Sequence, residues 1–74
     1  MGKKQDNGVL RATIGRNLKK LRKEAGLTQQ QVAEATGLIQ QSVDRFEHGL
    51  RMPDAYQLNQ LAIVFKVNVD VLMR

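Results

Sequence analysis

Two adjacent glutamines, Gln40 and Gln41, carry the most readable chemistry in this 74-residue chain. A glutamine amide holds a donor and an acceptor side by side. That pairing matches N6 and N7 of adenine at a major-groove edge. A lone pair of amides on a helix is ordinarily just a solvated surface, so the neighbouring residues decide its weight. At roughly 100° per residue, Gln40, Gln41, Asp44, Arg45 and His48 share one side of a helix. Val43 and Phe46, with Ser42 beside them, share the other. The first side is polar without being uniformly charged. Its two amides stand at the N-terminal end, where a recognition helix presents side chains to base edges.

The elements that must position these side chains lie between Thr28 and Gly49, in TQQQVAEATGLIQQSVDRFEHG. Thr28 and Gln31 form a T-x-x-Q capping box, and Leu27 with Val32 stands at staple positions around it. The helix runs to about Thr36, where Gly37 supplies a left-handed residue to end it. A second helix is predicted from Gln40 to His48, ended by Gly49. Two short helices around a glycine-containing turn match the helix-turn-helix unit. Ile39 does not suit its place, because isoleucine is a poor N-cap. Leu38 and Val43 still stand at staple positions there.

Residues 1–9 are expected to form a flexible basic arm, with Lys3 and Lys4 in reach of phosphates or simply solvated, and residues 10–74 a single domain. Leu10, Ile14, Leu18, Leu21 and Ala25 make a helical stripe, with Arg16, Lys19, Lys20 and Lys23 opposite. Either Asn7 or Thr13 can cap this first helix, and Gly26 ends it. The loop GLRMP holds Arg51. Asp54 and Gln57 make a second capping box, opening a helix with Leu58, Leu61, Ala62 and Phe65 inward. Asn68 can cap a short fifth helix; VNVDV alternates like a strand, but the cap and the Val67–Leu72 staple favour helix. The predicted core is Ile14, Leu18, Leu21, Leu27, Val32, Ala33, Leu38, Val43, Phe46, Leu58, Leu61, Ala62, Phe65, Val67 and Leu72. Val71 and Met73 are left over as apolar residues near the C-terminal end.

Composition narrows the class. A chain this short buries roughly 60% of its unfolded surface, so it holds one compact core. With no cysteine and one histidine, neither disulfides nor a protein metal site are expected, and no cofactor is expected either. No apolar run approaches the roughly 20 residues of a membrane span, and no signal core is present, so a cytoplasmic, nucleoid-associated location and no membrane contact are expected. The net charge is +5, and it is unevenly spread. Residues 1–23 hold eight basic residues against one acid, and residues 24–74 hold four against six. A basic segment on a nearly balanced core suits a phosphate backbone or another anionic surface, or serves as a solubilising tail.

From Ile14 to Met73, about four-fifths of its length, the chain resembles the Cro/repressor-type helix-turn-helix family, often called the XRE family. The likeness rests on IGRNLKKLRKEAGLTQQQVAEATGL, IQQSVDRFEHG and MPDAYQLNQLAIVFKVNVDVLM in register. The paired glutamines are similar to those of lambdoid phage repressors. The resemblance implies an all-α, five-helix bundle that docks its third helix in the major groove of double-stranded DNA. Carried onto this sequence, Gln40, Gln41, Asp44 and Arg45 would contact bases, with Asp44 accepting from a cytosine amine. Gln29, Ser42, Arg51 and Lys19 would contact phosphates, and Gln29 would also brace Gln40. Arg22 and Glu47 match a family ion pair that ties the first helix to the third. Three positions depart from the pattern: Ile39 for a Ser or Thr cap, Lys66 for a Gly, and acidic Asp44 on the groove side.

The reading that follows is a transcriptional regulator, a repressor by resemblance, that binds a palindromic operator-like site as a homodimer. The dimer is expected because one short helix reads too few base pairs to find a site in a genome. The alternative is a protein-interaction module of the same fold, such as an antitoxin or scaffold, favoured by the acidic balance of residues 24–74. An enzyme is not expected, since no nucleophile, metal or phosphate-loop pattern is present.

Overall fold

The computed structural model describes residues 8–74, which form five helices and no strand. They are α1 Gly8–Glu24, α2 Gln29–Thr36, α3 Gln40–Glu47, α4 Ala55–Phe65 and α5 Val69–Leu72. The arm residues 1–7, with Lys3, Lys4 and the candidate cap Asn7, lie outside the described residues. Gly8 and Val9 belong to α1 rather than to an arm, and Thr13 lies inside that helix and caps nothing. The VNVDV stretch is helical from Val69. No helix among the described residues is long and apolar enough to cross a membrane.

Local chemistry accounts for most boundaries. Thr28 Oγ1 accepts from the Gln31 N–H at 3.0 Å, while Gln31 Oε1 accepts from the Thr28 N–H at 2.8 Å. Asp54 and Gln57 close the same reciprocal box at 2.8 and 2.9 Å. Each box satisfies two N–H groups that a helix start leaves orphaned. Gly37 ends α2 at φ 75°, a left-handed turn that lets α3 fold back across α2. The same left-handed conformation ends α4, but there it is held by Lys66, at φ 58°. The Asn68 side chain makes no cap hydrogen bond, so α5 is not started the way its sequence suggests.

Instead, α5 is held from its other end. Asn17 Nδ2, on α1, lies 2.8 Å from Leu72 O, 3.0 Å from Arg74 O and 3.3 Å from Val71 O. One amide thereby covers carbonyls that a four-residue helix cannot satisfy itself.

The core is a single cluster in which Ile14, Leu18, Val32, Ala33, Val43, Phe46, Leu61, Ala62 and Leu72 are almost fully enclosed and Leu58 nearly so. Leu21, Leu27, Leu38, Phe65 and Val67, expected inside, are only half-buried, and Ala25 is exposed just beyond the end of α1. A domain this small has too little interior for every apolar position to be enclosed. Thr36 is buried, unforeseen from its type; its hydroxyl donates to Val32 O at 2.8 Å, so it packs like a valine without an orphaned polar group.

Gly15 sets how closely α1 meets α3. A Cβ there would lie 2.5 Å from Phe46 O and 2.8 Å from Glu47 O, atoms of backbone that cannot swing away. The absent side chain lets α3 press its C-terminal turn onto α1. The Arg11 Nε–H donates to Gly49 O at 3.2 Å just past that crossing.

Candidate nucleic-acid interface

The helix α3 packs against both α1 and α2, and Val43 and Phe46 fill its inner face. Their burial turns Gln40, Gln41 and Arg45 outward, where all three are exposed. Ser42 and Asp44 are half-buried at the margins of that face. Apolar periodicity therefore aims the polar side chains: rotating α3 would pull Phe46 out of the core.

Behind the exposed amides runs a continuous polar network. Its base is the Arg22–Glu47 pair, which links α1 to α3. Arg22 Nε donates to Glu47 Oε2, Arg22 Nη2 donates to Glu47 Oε1 at 3.0 Å, and Arg22 Nη1 donates to Leu27 O at 3.0 Å. The carboxylate side chain is 2% exposed and the guanidinium 13%. The hydrogen bond to Glu47, and behind it the carboxylate's charge, raise the Arg22 pKa against the opposing effect of burial. A buried pair of this kind adds little net stability, but it fixes the angle between the helices it joins.

Gln29, the first residue of α2, carries the network outward. Its Nε2 donates to Glu47 Oε1 and to Asp44 Oδ1, each at 3.0 Å, and its Oε1 accepts from Gln40 Nε2. Gln40 thus has an exposed amide that is tied, through one glutamine, to a buried ion pair. Gln41 and Arg45 have no comparable brace among the described residues. The structure adds a constraint on Gln29 itself. Both of its amide hydrogens are donated to carboxylates, so a phosphate could take one only by displacing an acid.

The remaining candidates are more dispersed. Lys19 is exposed on α1, and Arg51 is exposed in the loop after α3; neither is hydrogen-bonded to the network. His48 Nδ1 lies 2.9 Å from Asp44 O and 3.4 Å from Asp44 Oδ1, at the C-terminal end of α3. An open depression of about 640 Å³ lies at the start of α2, lined by Arg22, Leu27, Thr28, Gln29, Gln30 and Gln40 together with Gly26.

Ile39 caps nothing, as its residue type implies, and is 64% exposed beside Gln40, so an apolar group stands open at the head of α3. The Asp44–Gln29 contact spans fifteen positions and depends on side-chain rotamers. No local pattern encodes it.

Two short helices crossing at a glycine turn, with an outward polar face braced from behind, define a helix-turn-helix protein. Residues 18–72 match the helix-turn-helix family HTH_3, and the chain belongs to that family of transcriptional regulators. It is 40% identical over 53 residues to the uncharacterized HTH-type transcriptional regulator y4dJ of Sinorhizobium fredii, covering 72% of this chain and 69% of that one. It is 31% identical over 61 residues to the HTH-type transcriptional regulator ImmR of Bacillus subtilis, covering 82% of this chain and 48% of that one. The chain thus spans only about half the length of the Bacillus relatives it matches. Among solved structures it is similar to the restriction-modification controller protein C.AhdI of Aeromonas hydrophila. That match has a TM-score of 0.80 and 27% identity over 84% of this chain and 94% of that one. The clp gene regulator ClgR of Corynebacterium glutamicum is similar at TM-score 0.80 and 26% identity, over 85% of this chain and 68% of that one.

Proposed function

We propose that this chain binds double-stranded DNA in a sequence-specific way and acts as a repressor, with α3 in the major groove. The observation that carries this is the exposed Gln40 amide, held by Gln29 and backed by the buried Arg22–Glu47 pair. A solvated glutamine needs no such support; a base-reading one gains from losing its rotational freedom before it binds. Gln40, Gln41 and Arg45 are read as base-contacting. Ser42, Arg51 and Lys19 are read as phosphate contacts, and Gln29 as the brace that reaches phosphate only by exchanging an acid. The chain is read as a binding protein without cofactor or catalytic role, working in the cytoplasm on the nucleoid. Residues 10–74, together with Gly8 and Val9 of α1, are read as its DNA-binding domain.

The partner is read as a palindromic site bound by a homodimer. Met73 is 40% exposed and Val71 half-buried, and both stand on the α5 end of the bundle. Two copies joined there would place half-sites about 34 Å apart, one turn of duplex. The second reading, a protein-interaction module, is favoured only by the net −2 of residues 24–74.

Selection of binding sites from random duplexes, followed by footprinting, tests this. Two enriched half-sites in phase, with Val71→Asp weakening the palindrome but not one half-site, are expected. A single half-site bound equally by Val71→Asp would remove the dimer. No enrichment of any sequence, with no dependence of binding on salt, would favour the interaction module.

A further inference from the structure

His48 is the chain's only histidine, and it closes α3 one turn past Asp44. Histidine is the side chain whose ordinary pKa, about 6.5, lets its charge change near neutral pH. The Nδ1 atom of His48 lies 2.9 Å from the Asp44 carbonyl oxygen. A carbonyl only accepts, so Nδ1 carries the hydrogen, and the neutral ring keeps its lone pair on Nε2. Nε2 has no partner among the described residues, and the side chain is 60% exposed. Phosphate oxygens also only accept, so neutral His48 has nothing to offer a phosphate at that atom. A proton on Nε2 turns it into a charged donor and leaves the Nδ1 hydrogen bond to Asp44 intact.

The neighbouring charges have both signs. Asp44 Oδ1 lies 3.4 Å from Nδ1, and the C-terminal end of a helix stabilises a cation. Arg45 and Arg51 flank His48 in the chain as exposed cations, and Arg11 of α1 reaches the carbonyl of the next residue, Gly49, at 3.2 Å. The Glu47 carboxylate is 2% exposed and paired with Arg22, so it adds little on the outside. From α2 the residue against Asp44 is the neutral Gln29. A duplex adds a further anion on the open side. The N-terminal residues of a recognition helix meet base edges, and its last turn is left to the backbone. Resting on the reading that α3 enters the major groove, we propose that His48 is a proton-gated phosphate contact: Nε2 takes up a proton when the duplex binds, so affinity depends on pH. Binding then raises the pKa of the ring. The added affinity is fully present below the value of the free ring and is lost as pH rises through that of the bound one.

The test measures affinity of the whole chain for its selected duplex at about pH 5.5 and about pH 8 over a range of salt. It compares wild type, His48→Gln and His48→Lys, with thermal melting at both pH values to show that each is folded. Wild type is expected to bind about threefold to tenfold tighter at the lower pH. Its log affinity should also fall more steeply against log salt there, by about 0.9, the mark of one extra phosphate contact. His48→Gln is expected to lose the difference between the two pH values, and His48→Lys to keep the steeper slope at both. With a single histidine in the chain, the ring resonances report the proton directly. Their titration midpoint is expected to move up by roughly half to one pH unit when duplex saturates the protein. A midpoint that stays or falls overturns the proposal. So does a pH effect that persists in His48→Gln, which would place the proton elsewhere, such as on the terminal amine. Sequence-specific binding with no pH effect overturns the proposal and leaves α3 in the groove, whereas no binding to any duplex at either pH overturns both.

Discussion

The two ends of this bundle are held by different physics. At the α2–α3 edge, Arg22, Glu47, Gln29, Asp44 and Gln40 are joined by directional hydrogen bonds. At the α4–α5 end, Leu58, Leu61, Ala62 and Leu72 are joined by shape and burial, and one amide, Asn17, supplies the main polar tie. Burial energy is large but indifferent to the angle of any one side chain. Hydrogen bonds add little net energy and specify geometry closely. The division explains how so small a domain can be both stable and exact. Changes at the apolar end should move the melting temperature, and changes at the polar edge should move discrimination between ligands.

The largest expected effect comes where the two regions share a wall. Phe46 is fully buried on the inner face of α3, so Phe46→Ala should cost about 3–5 kcal/mol, a large part of the stability of any small domain. A chemical denaturation curve like that of the parent would mean that α3 is not anchored through Phe46. Removing the amide that ties down α5, by Asn17→Ala, should cost about 1–3 kcal/mol, since three carbonyls lose a partner. The loss should be read first as faster amide exchange in α5, with little effect at Gln40. Faster exchange in α3 instead would dissolve the separation of the two ends. The smallest effect has the opposite sign. Lys66 holds a left-handed conformation that glycine adopts freely, so Lys66→Gly should stabilise the chain by about 1 kcal/mol and raise the melting temperature by about 4–8 °C. A lower melting temperature would show that Lys66 contributes contacts that outweigh its backbone strain.

What could be read from the sequence follows the range of each interaction. The two capping boxes, the Gly37 turn and the inner face of α3 are set within a few residues, and local patterns reveal them. Gly15 and Asn17 answer to partners more than thirty and more than fifty positions away, so nothing beside them announces their roles. In isolation Gly15 looks like a helix-weakening residue; only the Phe46 carbonyl explains it. Asn68 looked like a cap because its type fits, yet the short α5 is secured at its far end instead. The Arg22–Glu47 link was accessible through family resemblance and not through spacing. The relay from Asp44 to Gln40 was not accessible at all, because it depends on which way three side chains turn.

The central claim is that Gln40, fixed from behind, reads a base. It is tested most directly by the affinity of Gln40→Ala for the selected site and for random duplex at one salt concentration. A loss of about 1–3 kcal/mol on the selected site with little change on random DNA is the predicted result. Equal losses on both kinds of DNA would contradict it and leave Gln40 as a nonspecific contact.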